Sequence, residues 1–128
     1  MTLVVAAALI DTGADGTWAD GILGSDTLVA PHLLPVEVAN VLRRAALAGD
    51  TSADSASIAH GDLLKLRIDL FAYEPFAASV WELRDTTTTY DGWYVALAES
   101  LDAPLATHDR RLARSPRARC RFMVPSSP

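Results

Sequence analysis

Cysteine is nearly absent. Cys120 is the single one among 128 residues, which excludes an intramolecular disulfide and leaves too few thiols for a zinc knuckle. Lysine is equally scarce: Lys65 stands alone beside ten arginines, so contacts to anions must come from guanidinium groups, which grip phosphate bidentately. The three histidines, His32, His60 and His108, have no partners at metal-ligand spacing, although His108 beside Asp109 could touch a phosphate. There is no glycine-rich phosphate loop and no serine nucleophile elbow. The apolar run at residues 3–10 is too short to span a bilayer and has no basic segment before it, so no membrane association is expected and the cytoplasm is the expected location.

What is present describes a globular chain. Hydrophobic residues make up 50% and charged residues 21%, too apolar a balance for disorder, and the length suits one domain with its own core. The net charge of −5 conceals an asymmetry. Residues 1–109 carry all 16 acidic groups against five basic ones, a net of −11; residues 110–128 carry six arginines and no acid, a net of +6. An acidic body suits a cation and a basic end suits a phosphate backbone, although an arginine-rich end is also ordinary solvated surface.

Short apolar stretches alternate with amphipathic ones. Strands are expected at residues 2–7, 27–30, 68–71, 104–107 and 121–124. Helices are expected around Trp18, from Leu34 to a stop at Gly49, after a cap at Thr51 or Ser52, from Pro75 through Leu83, over residues 90–101, and near residues 110–114. The threonine run at residues 86–89 should break the two helices around it. Trp18, Trp81 and Trp93 read as core. The pattern predicts βαβ units in a three-layer α/β/α domain with a central parallel sheet, spanning residues 1–124, with a loose tail at 125–128.

In such a fold ligands collect beyond the carboxyl ends of the strands. Three acids are therefore of interest. Glu37 lies at the edge of the apolar stripe formed by Leu34, Val38 and Val41. Asp91 opens a helix on the face that carries Tyr94 and Ala98, and Asp109 follows a strand and precedes a basic helix. Each has an ordinary alternative, as a solvated boundary residue or a helix cap. If the three converge, their repulsion must be relieved by protons or by a hard cation such as Mg²⁺ or Mn²⁺.

Three segments carry a family resemblance: Pro31-His32-Leu33-Leu34-Pro35-Val36-Glu37-Val38, Tyr90-Asp91-Gly92-Trp93-Tyr94-Val95-Ala96-Leu97-Ala98-Glu99 and Leu105-Ala106-Thr107-His108-Asp109-Arg110-Arg111-Leu112. Together they resemble the PIN-domain ribonucleases, and more closely the VapC toxins of bacterial type II toxin–antitoxin pairs. The resemblance implies that Glu37, Asp91 and Asp109 are three of four catalytic, metal-binding acids, with Thr107 supporting the turn at Asp109. It implies a Mg²⁺- or Mn²⁺-dependent cut in transfer or ribosomal RNA, and arginines Arg110, Arg111, Arg114 and Arg84 along the RNA backbone. It also implies a homodimer and a small VapB-like antitoxin whose tail enters the acidic cleft.

The fourth acid is missing. The family reads Val-Val-Asp-Ala-Ser at the end of the first strand, whereas this chain reads Val4-Val5-Ala6-Ala7-Ala8, so Ala6 stands where the aspartate belongs. Asp11 lies past the strand and is a poor substitute. Either the aspartate was exchanged deliberately or the chain is a degenerate copy; the retention of the other three acids favours the first. The expected consequence is impaired catalysis. Two other readings remain: a PIN-like module that only binds a protein, and a phosphoacceptor signalling domain, which lacks here both its acidic pair after the first strand and its late lysine.

Overall fold

The apolar, β-branched run at Thr2–Val5 (β1) forms the middle strand of the sheet in the computed structural model, which describes residues 2–6, 16–24 and 27–125. It pairs in parallel with Thr27–Pro31 (β2) on one side and Leu105–Ala106 (β4) on the other. Ile68–Phe71 (β3) lies beyond β2 and Phe122–Met123 (β5) beyond β4, giving the order β3-β2-β1-β4-β5 with every pairing parallel. The strands expected at 104–107 and 121–124 are each two residues long in the structure.

Parallel strands need crossovers, and the helices that make them cover both faces. Gly16–Leu23 (α1) follows β1, and Leu34–Leu47 (α2) with Ala53–Lys65 (α3) follows β2. After β3 come a 3₁₀ turn at Glu74–Phe76, Ala77–Glu82 (α4) and Thr89–Leu101 (α5), and Arg110–Ala113 (α6) follows β4. Alternating strand residues serve opposite layers. Val4, Val29 and Leu105 pack with Leu34, Val38, Leu63, Val95 and Leu97, whereas Val5, Leu28 and Ala106 pack with Ala19 and Ile22 of α1. The architecture is the expected three-layer α/β/α.

Local chemistry sets the boundaries. Pro35 fits the first turn of α2, where its missing N–H costs nothing. Gly49, at φ +82°, closes that helix in the left-handed conformation that glycine adopts freely. Ser52 caps α3 by accepting from the Ser55 N–H at 3.0 Å. The threonine run starts a helix, whereas α4 has already ended at Glu82: Thr88 Oγ1 accepts from the Asp91 N–H at 3.1 Å and caps α5. Gly92 sits where α5 meets α4; a Cβ there would lie 3.2 Å from Thr87 Oγ1 and from Val80 Cγ1.

Some apolar residues expected inside are not. Trp81 is 62% exposed, with the Arg84 guanidinium stacked on its ring, because α4 is short and turns Val80 and Leu83 inward instead. Ile58 and Leu64 on α3 are also exposed, since only Leu63 of that helix is buried. Trp18 and Trp93 are half-buried, the latter edge-on to Tyr73. Pro125, expected in the tail, is buried, and its carbonyl accepts from Arg110; residues 126–128 and Asp11 lie outside the described residues. The basic end is folded back onto the acidic body, with Arg117 3.7 Å from Asp85 and Arg121 4.0 Å from Asp102, exposed pairs worth little in energy.

Candidate active site

The chain runs from β1 outward through β2 to β3, then returns to lay β4 on the far side of β1. Crossovers leaving β1 and β4 therefore diverge, and a crevice opens where those strands end. A cleft of about 600 Å³ lies there. Ala6, directly after β1, and Thr107, directly after β4, form its floor. One wall is α2, with Glu37, Asn40, Val41 and Arg44; the other is α5, with Tyr90, Asp91 and Tyr94; Asp109 and Leu112 close the end.

The three acids picked from the sequence thus share one cavity, and Ala6 shares it with them. Glu37 is half-buried, and its Oε1 accepts from the Tyr94 hydroxyl at 2.9 Å. Burial pushes its carboxyl above the usual range; the Tyr94 bond opposes that rise and the charge of Asp91 adds to it. Asp91 is raised likewise, first by burial and then by the charge of Asp109, with the Thr88 hydrogen bond opposing. The acids therefore sense one another in a chain from Glu37 through Asp91 to Asp109.

Asp109 is also a helix cap: its Oδ1 accepts from the N–H groups of Arg111 at 2.9 Å and Leu112 at 3.1 Å. Thr107 is 1% exposed, and its Oγ1 accepts from the Asp109 N–H at 3.0 Å. The polar reading of Asp109 and the capping reading describe one residue, whose first carboxylate oxygen faces the helix.

The arginines divide differently from the sequence expectation. Arg84 stacks on Trp81, Arg110 reaches the Pro125 carbonyl, and Arg111 and Arg114 are on or beside the short helix α6; none of these lines the cleft. Arg44 does. Sequence reasoning missed it, together with Asn40, although the signal was there: positions 37, 40, 41 and 44 follow helical spacing and share one face. His108 is half-buried against Trp18, with ring centroids 5.4 Å apart, and lies outside the cleft lining.

Carboxylate oxygens are hard donors that suit Mg²⁺ or Mn²⁺, and Glu37, Asp91 and Asp109 bring them to one cleft. Among the described residues, however, no three His, Cys, Asp or Glu side chains stand close enough to hold an ion. Like charges repel, Ala6 offers no donor, and Asp109 Oδ1 is committed to its helix. The donor set fits a cation held by one or two carboxylates and water, the usual manner of Mg²⁺, and not a preformed cage.

Known proteins match both the chain and its fold. The PIN domain model matches residues 2–118. Ribonuclease VapC1 of Mycobacterium tuberculosis is 40% identical over 127 residues, spanning 95% of this chain and 96% of its own. Ribonuclease VapC9 of the same organism is 32% identical over 118 residues, 92% of this chain and 90% of its own. Among solved structures, PAE2754 from Pyrobaculum aerophilum superposes with a TM-score of 0.72 at 23% identity, covering 95% of this chain and 92% of that one. VapBC2 from Rickettsia felis, bound to a DNA fragment from its promoter, gives 0.66 at 12% identity, covering 98% and 100%. At those identities the structures speak for the fold alone. The chain belongs to the PIN-domain family and, within it, to the VapC proteins.

Proposed function

We propose that this chain is a VapC-type endoribonuclease that hydrolyses phosphodiester bonds in RNA with a divalent cation, and that Ala6 leaves it impaired. The observation that carries the reading is the convergence of Glu37, Asp91, Asp109 and Ala6 on one cleft at the β1–β4 crevice. The ribonuclease names of the relatives support the substrate class. Transfer or ribosomal RNA is the expected target. A small VapB-like antitoxin is the expected partner, in keeping with the VapBC2 complex among the structural neighbours, and a homodimer is the expected assembly.

Asp91 and Glu37 would hold Mg²⁺ or Mn²⁺, with Asp109 contributing directly or through water; a bound cation supplies Lewis acidity toward the phosphate and acidifies water. The Tyr94 hydroxyl orients the Glu37 carboxylate, and Thr107 with the α6 N–H groups orients Asp109. Arg110, Arg111, Arg114 and Arg84 would track the RNA backbone outside the cleft. An aspartate at position 6 would add a donor at the floor, opposite the two walls; alanine cannot.

A second reading, a PIN-like module that binds protein without catalysis, is favoured by Ala6 itself and by the lack of a three-ligand cluster among the described residues. Ala6→Asp separates the two. Under the nuclease reading the variant regains Mg²⁺-dependent RNA cleavage and binds Mg²⁺ or Mn²⁺ more tightly by calorimetry. A folded Ala6→Asp protein that stays inert and takes up no cation hands the case to the binding module.

A further inference from the structure

The acidic cleft does not end at the acids. Val41 and Arg44 line it and also line a second cavity of about 620 Å³ between α2 and α3. That volume lies within the usual range for a small-molecule site. Its apolar surface comes from Val41 and Leu42 together with the small side chains Ala45, Ala56 and Ala59, and its polar groups beside Arg44 are Thr51, Ser55 and Asp50. Arg44 stands at the junction, seven residues from Glu37 on one helix face, about 10 Å along the axis. It is exposed, and among the described residues no carboxylate lies within ion-pair distance of it.

Resting on the ribonuclease reading, we propose that the α2–α3 cavity is a subsite for a nucleotide flanking the bond to be cut, with its phosphate on Arg44 and its base among the alanines. Charge sets the orientation. An unpaired guanidinium attracts phosphate bidentately, whereas Asp50, an exposed residue in the cavity lining, repels phosphate but accepts from an exocyclic amine. A, C or G is therefore preferred there over uracil. Small side chains leave a base room to lie against the helix, and Thr51 and Ser55 offer hydroxyls to its edge. A base inside a duplex is paired and stacked and cannot enter, so the substrate class is single-stranded RNA.

The present chain suits the test, since weak catalysis leaves the probe intact. A fluorescent single-stranded RNA oligonucleotide is titrated by anisotropy against the parent, Arg44→Ala, Arg44→Lys and Ala59→Leu, with circular dichroism checking each fold. Arg44→Ala is expected to weaken binding about tenfold and to lower the salt slope by about one, with Arg44→Lys keeping most of that slope. Ala59→Leu, which fills the cavity, is expected to weaken the oligonucleotide by a similar factor while leaving an abasic strand unaffected. Equal loss on the abasic strand overturns the base assignment. If the parent binds and both Arg44→Ala and Ala59→Leu match it, the inference alone fails and the cavity reverts to a protein partner. If the parent binds no RNA, the inference fails together with the ribonuclease reading.

Discussion

The hydroxyl of Tyr94 on α5 donates to Glu37 Oε1 on α2 at 2.9 Å, joining positions 57 apart in the chain across the cleft they line. Tyr94 is buried and Glu37 half-buried, so this bond ties the two walls together and sets how readily Glu37 gives up its proton. Tyr94→Phe is expected to cost about 1 kcal/mol in urea denaturation. It should also raise the Glu37 carboxyl further, because the lost bond favoured the charged form; carboxyl resonances followed by NMR would report that shift, and an unchanged Glu37 would sink this account of the cleft.

Glu37 and Asp91 both hold protons more tightly in the folded chain than in the unfolded one. Their contribution to stability is thus fully present below the ordinary carboxylate range and is lost as pH rises through the raised values. Asp91→Asn should therefore raise Tm at pH 7, and the gain should shrink as pH falls and vanish at about pH 2, below the ordinary aspartate range, where the carboxyl is protonated in either state. Thermal melts at the two pH values check this. A gain that persists at low pH would place the effect elsewhere.

Restoring the carboxylate at position 6 has a cost that does not depend on catalysis. Ala6 is 8% exposed and faces three acids across the cleft. The cation-free Ala6→Asp protein should lose about 2 kcal/mol at neutral pH through desolvation and repulsion. Millimolar Mg²⁺ should return much of that loss, since a ligand that binds only the folded state stabilises it. Differential scanning calorimetry with and without Mg²⁺ measures both.

Asp109 serves its helix as well as the cleft, and two substitutions separate the roles. Asp109→Asn keeps a capping oxygen for the Arg111 and Leu112 N–H groups and should leave stability nearly unchanged. Asp109→Ala removes it and should cost about 1 kcal/mol. Both remove the charge, so both should lower the Asp91 carboxyl toward its usual value.

Cys120 is half-buried and close enough to Glu99 to feel its charge, and its thiol is pushed up to about 11, chiefly by burial. It should react slowly with a thiol reagent at pH 8 in the folded chain and rapidly in urea. Comparable rates in both would mean that the β5 edge opens readily.

Element types came from patterns that local chemistry controls. Apolar runs bounded by turns, Pro35 at a helix start, Gly49 at a helix stop and threonines before Asp91 made the α/β alternation legible, and with it the position of each acid relative to a strand end. Periodicity could not say which apolar residues would be covered. Trp81, Ile58 and Leu64 lie on amphipathic helices but outside the core, because burial depends on what another segment places opposite them. The basic end read as solvated surface or a phosphate contact; Arg117 and Arg121 are indeed exposed, but where they and Arg110 touch the body was not legible.

Residue types were written in the chain: three acids, an alanine after the first strand and arginines without lysine. Their meeting was a matter of topology. Only the return of β4 to the far side of β1 opens a crevice that Ala6, Glu37, Asp91 and Asp109 share, and only the packing of α2 against α3 forms the second cavity that Arg44 also borders. Helix spacing relates residues a few positions apart, whereas the bond between Tyr94 and Glu37 depends on how two distant helices cross the sheet, and short-range propensities contain no information about that.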